Sequence, residues 1–156
     1  MDPVELATLE SEVRDDLRVM RETLATARDR FEQPPPAGLE ASAHYLHRFY
    51  NAFEQLGLRL AKAFENRIDD DAGWHSSVLH RLTLEIPGVR PAFLPSELKP
   101  ALNELRGFRH VMVHAYELVL DGDRIASLLE DAALVAGGLP RACEDFFARV
   151  RGELGV

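Results

Sequence analysis

Hydrophobic residues recur every three or four positions at the start of the chain, which is the spacing of one face of an α-helix. The residues in this series are Leu6, Leu9, Val13, Leu17, Met20, Leu24, Ala27 and Phe31. Asp2 and Pro3 supply an N-cap and a first-turn proline, and Glu5 has the spacing of a capping box. The prolines at 34–36 cannot continue a helix, because proline lacks the backbone N–H. The pattern therefore predicts one long helix over about residues 3–33.

The same period continues along the chain and predicts four more helices. Their expected bounds are about 39–68, 74–85, 97–120 and 124–153. A polar run at 69–73 and a proline-rich loop at 87–95 separate them. Ser96 is expected to cap the fourth helix, and Asp121-Gly122-Asp123 to form the turn before the fifth. Gly137-Gly138-Leu139-Pro140 is expected to interrupt or kink the fifth helix.

This pattern predicts an all-α fold, an antiparallel bundle of four or five helices, in a single domain over residues 1–156. No sustained alternation of apolar and polar residues predicts a strand. No uncharged apolar run approaches the roughly 20 residues of a membrane span, and the N-terminus does not resemble a signal peptide. The single cysteine, Cys143, excludes a disulfide framework. We therefore expect a cytoplasmic protein that makes no membrane contact.

The net charge of −8 argues against broad, sequence-independent binding of nucleic acids, so any chemistry on RNA or DNA needs a local positive site. The fourth predicted helix has such a site. On a helical wheel, its core-facing arc contains Leu105, Phe108, Met112, Ala115 and Val119. The opposite side carries Arg106, His110, His114 and Glu117, with Arg109 and Tyr116 one helical row away.

Histidine beside arginine is the pairing that acid–base chemistry on a phosphodiester requires, since imidazole moves a proton while guanidinium holds phosphate oxygens. Taken alone, such a face is also typical of a solvated surface, and the composition leaves the choice open. A zinc site on His110 and His114 is a further alternative, but no third ligand is evident nearby. Packed or surface histidines explain His44 and His47 adequately.

The segment from Arg109 to Tyr116 resembles the Arg-x4-His-x-Tyr signature of HEPN-domain ribonucleases, in particular the HepT-like toxins. The matching residues are Arg109, His114 and Tyr116, and the order of helices and loops along the chain is also similar. Family members often have Asn after the arginine. Here that residue is His110, which keeps the polarity of the position.

The resemblance implies a metal-independent endoribonuclease that needs no cofactor and works as a homodimer on RNA. It implies that His114 is the catalytic acid or base and that Arg109 orients and neutralises the phosphate. His110 and Arg106 would support them. The resemblance further implies a nucleotidyltransferase antitoxin as partner, which transfers AMP to Tyr116.

Two other functions stay open on the sequence. One is a catalytically silent HEPN module that serves as the binding partner of a nucleotidyltransferase. The other is a helical dimer with a purely structural role. The presence of both Arg109 and His114 favours the ribonuclease, because a silent module has no physical need for the pair.

Overall fold

The computed structural model describes residues 1–65, 73–114 and 119–155, and within these ranges it is a bundle of five α-helices. The helices are α1 Pro3–Phe31, α2 Ala37–Glu65, α3 Trp74–Thr83, α4 Lys99–His114 and α5 Gly122–Leu154, with a single 3-10 turn at Ser96–Leu98 before α4. The described residues contain no β-structure beyond one isolated bridge between Ile86 and Arg90. The predicted all-α bundle is confirmed.

The helices α1 and α2 form an antiparallel hairpin that makes the most extensive interface of the bundle. The capping box at the start of α1 is present, because the Asp2 side chain accepts from the N–H groups of Val4 and Glu5. A Cβ at Gly38 would lie 2.1 Å from the carbonyl oxygen of Gln33, so only glycine permits α2 to start this close to the preceding turn. α5 then packs against α1, α2 and α4.

Two predictions about α4 are wrong. Ser96 does not cap it, since residues Ser96–Leu98 form the 3-10 turn, which has no side-chain cap. The helix also does not extend to Leu120, because residues 119–121 are not helical. Val119, expected in the core, is 93% exposed. A helical wheel predicts the direction of a side chain only where the chain is helical. At Val119 the chain is instead turning towards α5, whose N-cap is Asp121.

The expected interruption of α5 is also wrong, because one continuous helix passes through Pro140. Residues on both sides of the proline, including Val135, Leu139 and Phe146, are buried in the core. Burying several such side chains contributes more than the roughly 3 kcal/mol that an internal proline costs. Gly138 has a packing role instead, since a Cβ there would come within 2.9 Å of the Leu98 side chain.

A buried ion pair ties the end of α2 to the loop that leads to α4. The Arg90 side chain has no exposed surface and donates to Glu65 Oε1 at 2.7 and 3.0 Å. Its remaining N–H groups donate to the carbonyl oxygens of Arg81, Leu84 and Pro91. Arg81 also pairs with Glu65. This arrangement closes the C-terminal end of α3 against α2. None of the helices in the described ranges is long and apolar enough to cross a membrane.

Replacing Glu65 with alanine should lower the free energy of unfolding by about 3–5 kcal/mol, because Arg90 would keep a buried charge without its carboxylate partner. The matched control is Glu85→Ala, which removes the exposed Arg149–Glu85 pair and should cost at most about 1 kcal/mol. Urea denaturation of both variants measures the difference. Equal losses would show that the Arg90–Glu65 pair does not stabilise the fold as described.

The same pair should make stability depend on pH. Burial alone raises the pKa of Glu65, but hydrogen bonds from Arg90 and Arg81 outweigh it and hold this pKa below its ordinary value of 4.5. A depressed carboxyl pKa stabilises the fold at neutral pH, and the contribution disappears as the pH falls through the depressed pKa. The stability gap between wild type and Glu65→Ala should therefore narrow below about pH 4.

Candidate active site

Helix α4 directs Arg109 at α2 rather than at solvent. The Arg109 Nε atom donates to Asn51 Oδ1 at 2.9 Å and lies 3.7 Å from Glu54 Oε2. The Glu54 side chain is 4% exposed and the Arg109 side chain 22%, so the contact lies at the edge of the core. The sequence interpretation put Arg109 off the core-facing arc of α4. The structure corrects this, because α2 covers that side of the helix.

This contact leaves the two terminal nitrogens of the Arg109 guanidinium available to a ligand. Within the described ranges, Arg109 donates its hydrogen bond through Nε, and its two terminal nitrogens donate none. An arginine fixed through Nε presents these nitrogens as a planar fork, which matches the spacing of two phosphate oxygens. Asn51 and Glu54 thus orient Arg109 without occupying the groups that would bind an anion.

The two histidines of α4 lie on its exposed side. The rings of His110 and His114 stack with their centroids 4.3 Å apart, and His114 Nδ1 lies 2.9 Å from the carbonyl oxygen of His110. A carbonyl oxygen can only accept, so Nδ1 of His114 carries the proton in this hydrogen bond. In the neutral imidazole, Nε2 then holds the lone pair and can accept a proton from a substrate.

The structure brings some of the predicted site residues together and separates others. Arg106 is half-buried and close enough to Tyr50 to affect its ionisation, on the same side of the bundle as Arg109. His110 and His114 stack on each other, but no hydrogen bond joins either to Arg109 among the residues described. Tyr116 lies outside the described residues.

Sequence reasoning missed the side chains that α2 contributes to the site. Asn51 and Glu54 contact Arg109, and His47 and Tyr50 lie one turn before them. One signal was available: Glu54 follows Tyr50 by four residues, which puts a charge on the apolar face of a helix. A carboxylate in such a position is rarely buried without a partner.

The α2 side chains have ionisation properties that follow from burial beside charges. Burial lowers the pKa of His47, and the charges of Arg109 and His44 lower it further, so the neutral imidazole is favoured. Burial raises the pKa of Tyr50 well above its ordinary value, and the Glu54 carboxylate acts in the same direction. His47 Nδ1 and the Tyr50 hydroxyl have no hydrogen-bond partner in the part of the chain that the structure describes.

A zinc site on His110 and His114 finds no third ligand, because no group of three or more metal-ligating side chains occurs among the described residues. The Nδ1 atom of His114 is also engaged by a backbone carbonyl. The arrangement that the described residues do provide is an oriented arginine and an exposed imidazole on one helix, which suits binding and proton transfer at a phosphate.

A model of the HepT-like protein family matches residues 41–150. The chain belongs to the HepT-like family of HEPN-domain proteins. The match on this HepT-like protein starts within α2 and ends within α5, so both helices that build the candidate site lie inside it. The family is generally associated with ribonuclease toxins of toxin–antitoxin systems. No curated protein and no solved structure matches the chain.

Proposed function

We propose that this HepT-like protein is a metal-independent endoribonuclease, the toxin of a toxin–antitoxin pair that acts on RNA in the cytoplasm. The observation that carries the proposal is the anchoring of Arg109. Its Nε atom donates to Asn51 and lies beside Glu54, and its terminal nitrogens donate no hydrogen bond to the described residues. An arginine that is oriented through Nε presents its two terminal nitrogens as a planar fork, which can hold two oxygens of one phosphate.

In this proposal His114 performs the proton transfer. Its Nε2 accepts the proton of a ribose 2′-OH as the 2′-oxygen attacks the neighbouring phosphorus. The bond from phosphorus to the 5′-oxygen breaks, and the leaving oxygen takes up a proton from water, so the products end in a 2′,3′-cyclic phosphate and a 5′-hydroxyl. Arg109 neutralises the charge that develops on the phosphate oxygens. His110, stacked on His114, and Arg106 support the pair.

A second copy of the chain would complete the cleft. Arg109 and His114 are five residues apart, so they differ by about 140° around the helix. Arg109 accordingly contacts α2, whereas His114 is exposed. Val111 and Val113, at 41% and 52% exposure, lie beside the histidines on α4 and supply apolar surface for a partner. In a homodimer, His114 of one protomer would act on a phosphate that Arg109 of its partner holds.

Light scattering should therefore report a dimer at micromolar concentration, with an interface of at least about 1,000 Å². Val113→Asp should convert the dimer to a monomer, because it places a charge in this interface. The matched control is Val19→Asp, which changes an exposed valine on α1 and should leave the dimer intact. RNA cleavage should fall together with dimer formation. A monomeric wild-type protein would rule out the shared cleft.

A nucleotidyltransferase antitoxin is the proposed partner, with Tyr116 as the residue that receives AMP. Tyr116 follows His114 by two residues in the sequence, and an AMP group there would bring a negative charge to a site that binds phosphate. This part of the proposal rests on family membership and on sequence position.

The experiment that tests the proposed activity is cleavage of single-stranded RNA by the purified protein in excess EDTA. Cleavage into products with 2′,3′-cyclic phosphate ends would support the mechanism, because it requires the 2′-OH and no metal. Activity that is lost in EDTA and restored by a divalent cation would overturn it. A protein that cleaves no RNA but binds the nucleotidyltransferase would be the silent module.

A further inference from the structure

One exposed turn of α2 carries a cluster of planar side chains. The Arg48 guanidinium lies over the Tyr45 ring, with its carbon 5.4 Å from the ring centroid. His44 meets the same ring edge-on at 5.4 Å. Tyr45 is half-buried and packs against the hydrophobic core, whereas His44 and Arg48 are exposed. We refer to His44, Tyr45 and Arg48 as the α2 platform, a fixed ring flanked by two groups that face solvent.

The platform belongs to a positive region on an acidic protein. Residues 41–53 of α2 and residues 105–114 of α4 together contain three arginines, and the acidic residue that adjoins them on α2 is Glu54, which is buried beside Arg109. The whole chain has 26 acidic residues and a net charge of −8. Arg48 has no carboxylate partner in the described ranges, so its charge is not neutralised locally. Such a region attracts a polyanion against the overall charge of the protein.

The platform continues directly from the anchored arginine. Asn51, which accepts from Arg109 Nε, follows Arg48 by three residues, so the two side chains are neighbours on the surface of α2. His47, whose pKa responds to both Arg109 and His44, lies between the two groups. Along the helix axis Arg48 is about 4.5 Å from Asn51. A ligand phosphate held by Arg109 therefore has its neighbouring nucleotide within reach of the platform.

We propose that the α2 platform binds the nucleotide next to the cleaved phosphate in single-stranded RNA, an inference that rests on the proposed ribonuclease activity. Arg48 binds the phosphate of that nucleotide through its N–H groups, and the base stacks on the guanidinium plane, which Tyr45 supports from below. A base inside a duplex cannot stack on a protein side chain, so the substrate is an unpaired strand.

Binding of a six-residue 2′-O-methyl RNA, which lacks the 2′-OH and cannot be cleaved, tests the platform without any need for catalysis. Arg48→Gln should weaken binding about tenfold, because it removes one charge-assisted phosphate contact. The slope of log affinity against log salt should fall by about 0.7, the value for one phosphate on a single strand. The matched control is Arg141→Gln, an arginine of α5 that is 80% exposed and should bind like wild type.

If Arg48→Gln and Arg141→Gln bind the RNA with equal affinity, the proposed role of the α2 platform is refuted. It is also refuted if duplex RNA binds as tightly as the single strand and its binding depends on Arg48 to the same extent. Arg48→Lys keeps the charge and removes the plane, so it should restore the salt slope but not the full affinity. This variant distinguishes a phosphate contact from stacking.

Cleavage rates separate this inference from the proposed function. Arg48→Gln should lower kcat/KM about tenfold for a tetranucleotide and leave kcat/KM for a dinucleotide unchanged. Only the tetranucleotide has a second phosphate, next to the cleaved one, that Arg48 can bind. An equal loss on both substrates would overturn the platform while the ribonuclease stands. If the wild-type protein cleaves neither substrate, the proposed ribonuclease activity is refuted. The binding experiment would then still show whether the α2 platform binds single-stranded RNA.

Discussion

The variants His114→Ala and Arg109→Ala are each expected to abolish RNA cleavage. General acid–base catalysis by a positioned side chain contributes about 10²–10⁴-fold, and a lost electrostatic contact to the phosphate about 10²–10³-fold. Cleavage of a labelled RNA in EDTA measures both losses as kcat/KM. The matched controls are His80→Ala, which removes an exposed histidine of α3, and Arg141→Ala on α5. Both controls should cleave at the wild-type rate.

The two catalytic variants should differ in stability. His114 is exposed, so its removal should leave the unfolding transition unchanged. The Arg109 Nε atom lies 3.7 Å from the buried Glu54 carboxylate, and removing this cation should cost about 1–3 kcal/mol. This difference follows from the contact of Arg109 with α2, which the sequence did not predict. Thermal melts must therefore accompany the rates. Full activity in folded His114→Ala would eliminate His114 as the acid or base.

The variant Tyr116→Phe is expected to keep most of the cleavage activity and to escape neutralisation by the antitoxin. The phenol has no assigned part in proton transfer, but it is the proposed acceptor of AMP. A nucleotidyl phosphate there would compete with RNA for the arginines of the site and would repel the incoming backbone. In cells that express both proteins, wild type should permit growth, whereas Tyr116→Phe should arrest it.

Mass spectrometry of the co-expressed protein provides the direct measurement. Wild type should gain the mass of one or more AMP groups on the peptide that contains Tyr116, and Tyr116→Phe should gain none. Tyr45→Phe is the matched control, since it removes the phenol of a half-buried tyrosine on α2 and should still receive AMP at Tyr116. Neutralisation by the partner with no change of mass would mean that control is by binding alone.

Most of the bundle could be predicted from the sequence, because helix formation depends on neighbours three and four residues apart. The α1 series from Leu6 to Ala27 is buried with the predicted period, and the cap at Asp2 is formed. The errors occur where local signals compete with packing. Pro140 predicts a break in the helix. α5 continues through it because burial of the residues on both sides stabilises the helix by more than the internal proline destabilises it. Val119 fits the wheel of α4, but the chain has already left the helix.

In the candidate site, too, local features could be predicted from the sequence and contacts between helices could not. The sequence by itself determined the all-α bundle and put Arg109 and His114 on one helix, since both depend on local spacing. Only the tertiary structure decided that Asn51, 58 residues before Arg109, binds its Nε, and that Glu54 lies beside it. Such contacts depend on how far each helix is rotated about its own axis and which helix it packs against. Those quantities are fixed by core packing across the whole bundle, and no local pattern in the sequence encodes them.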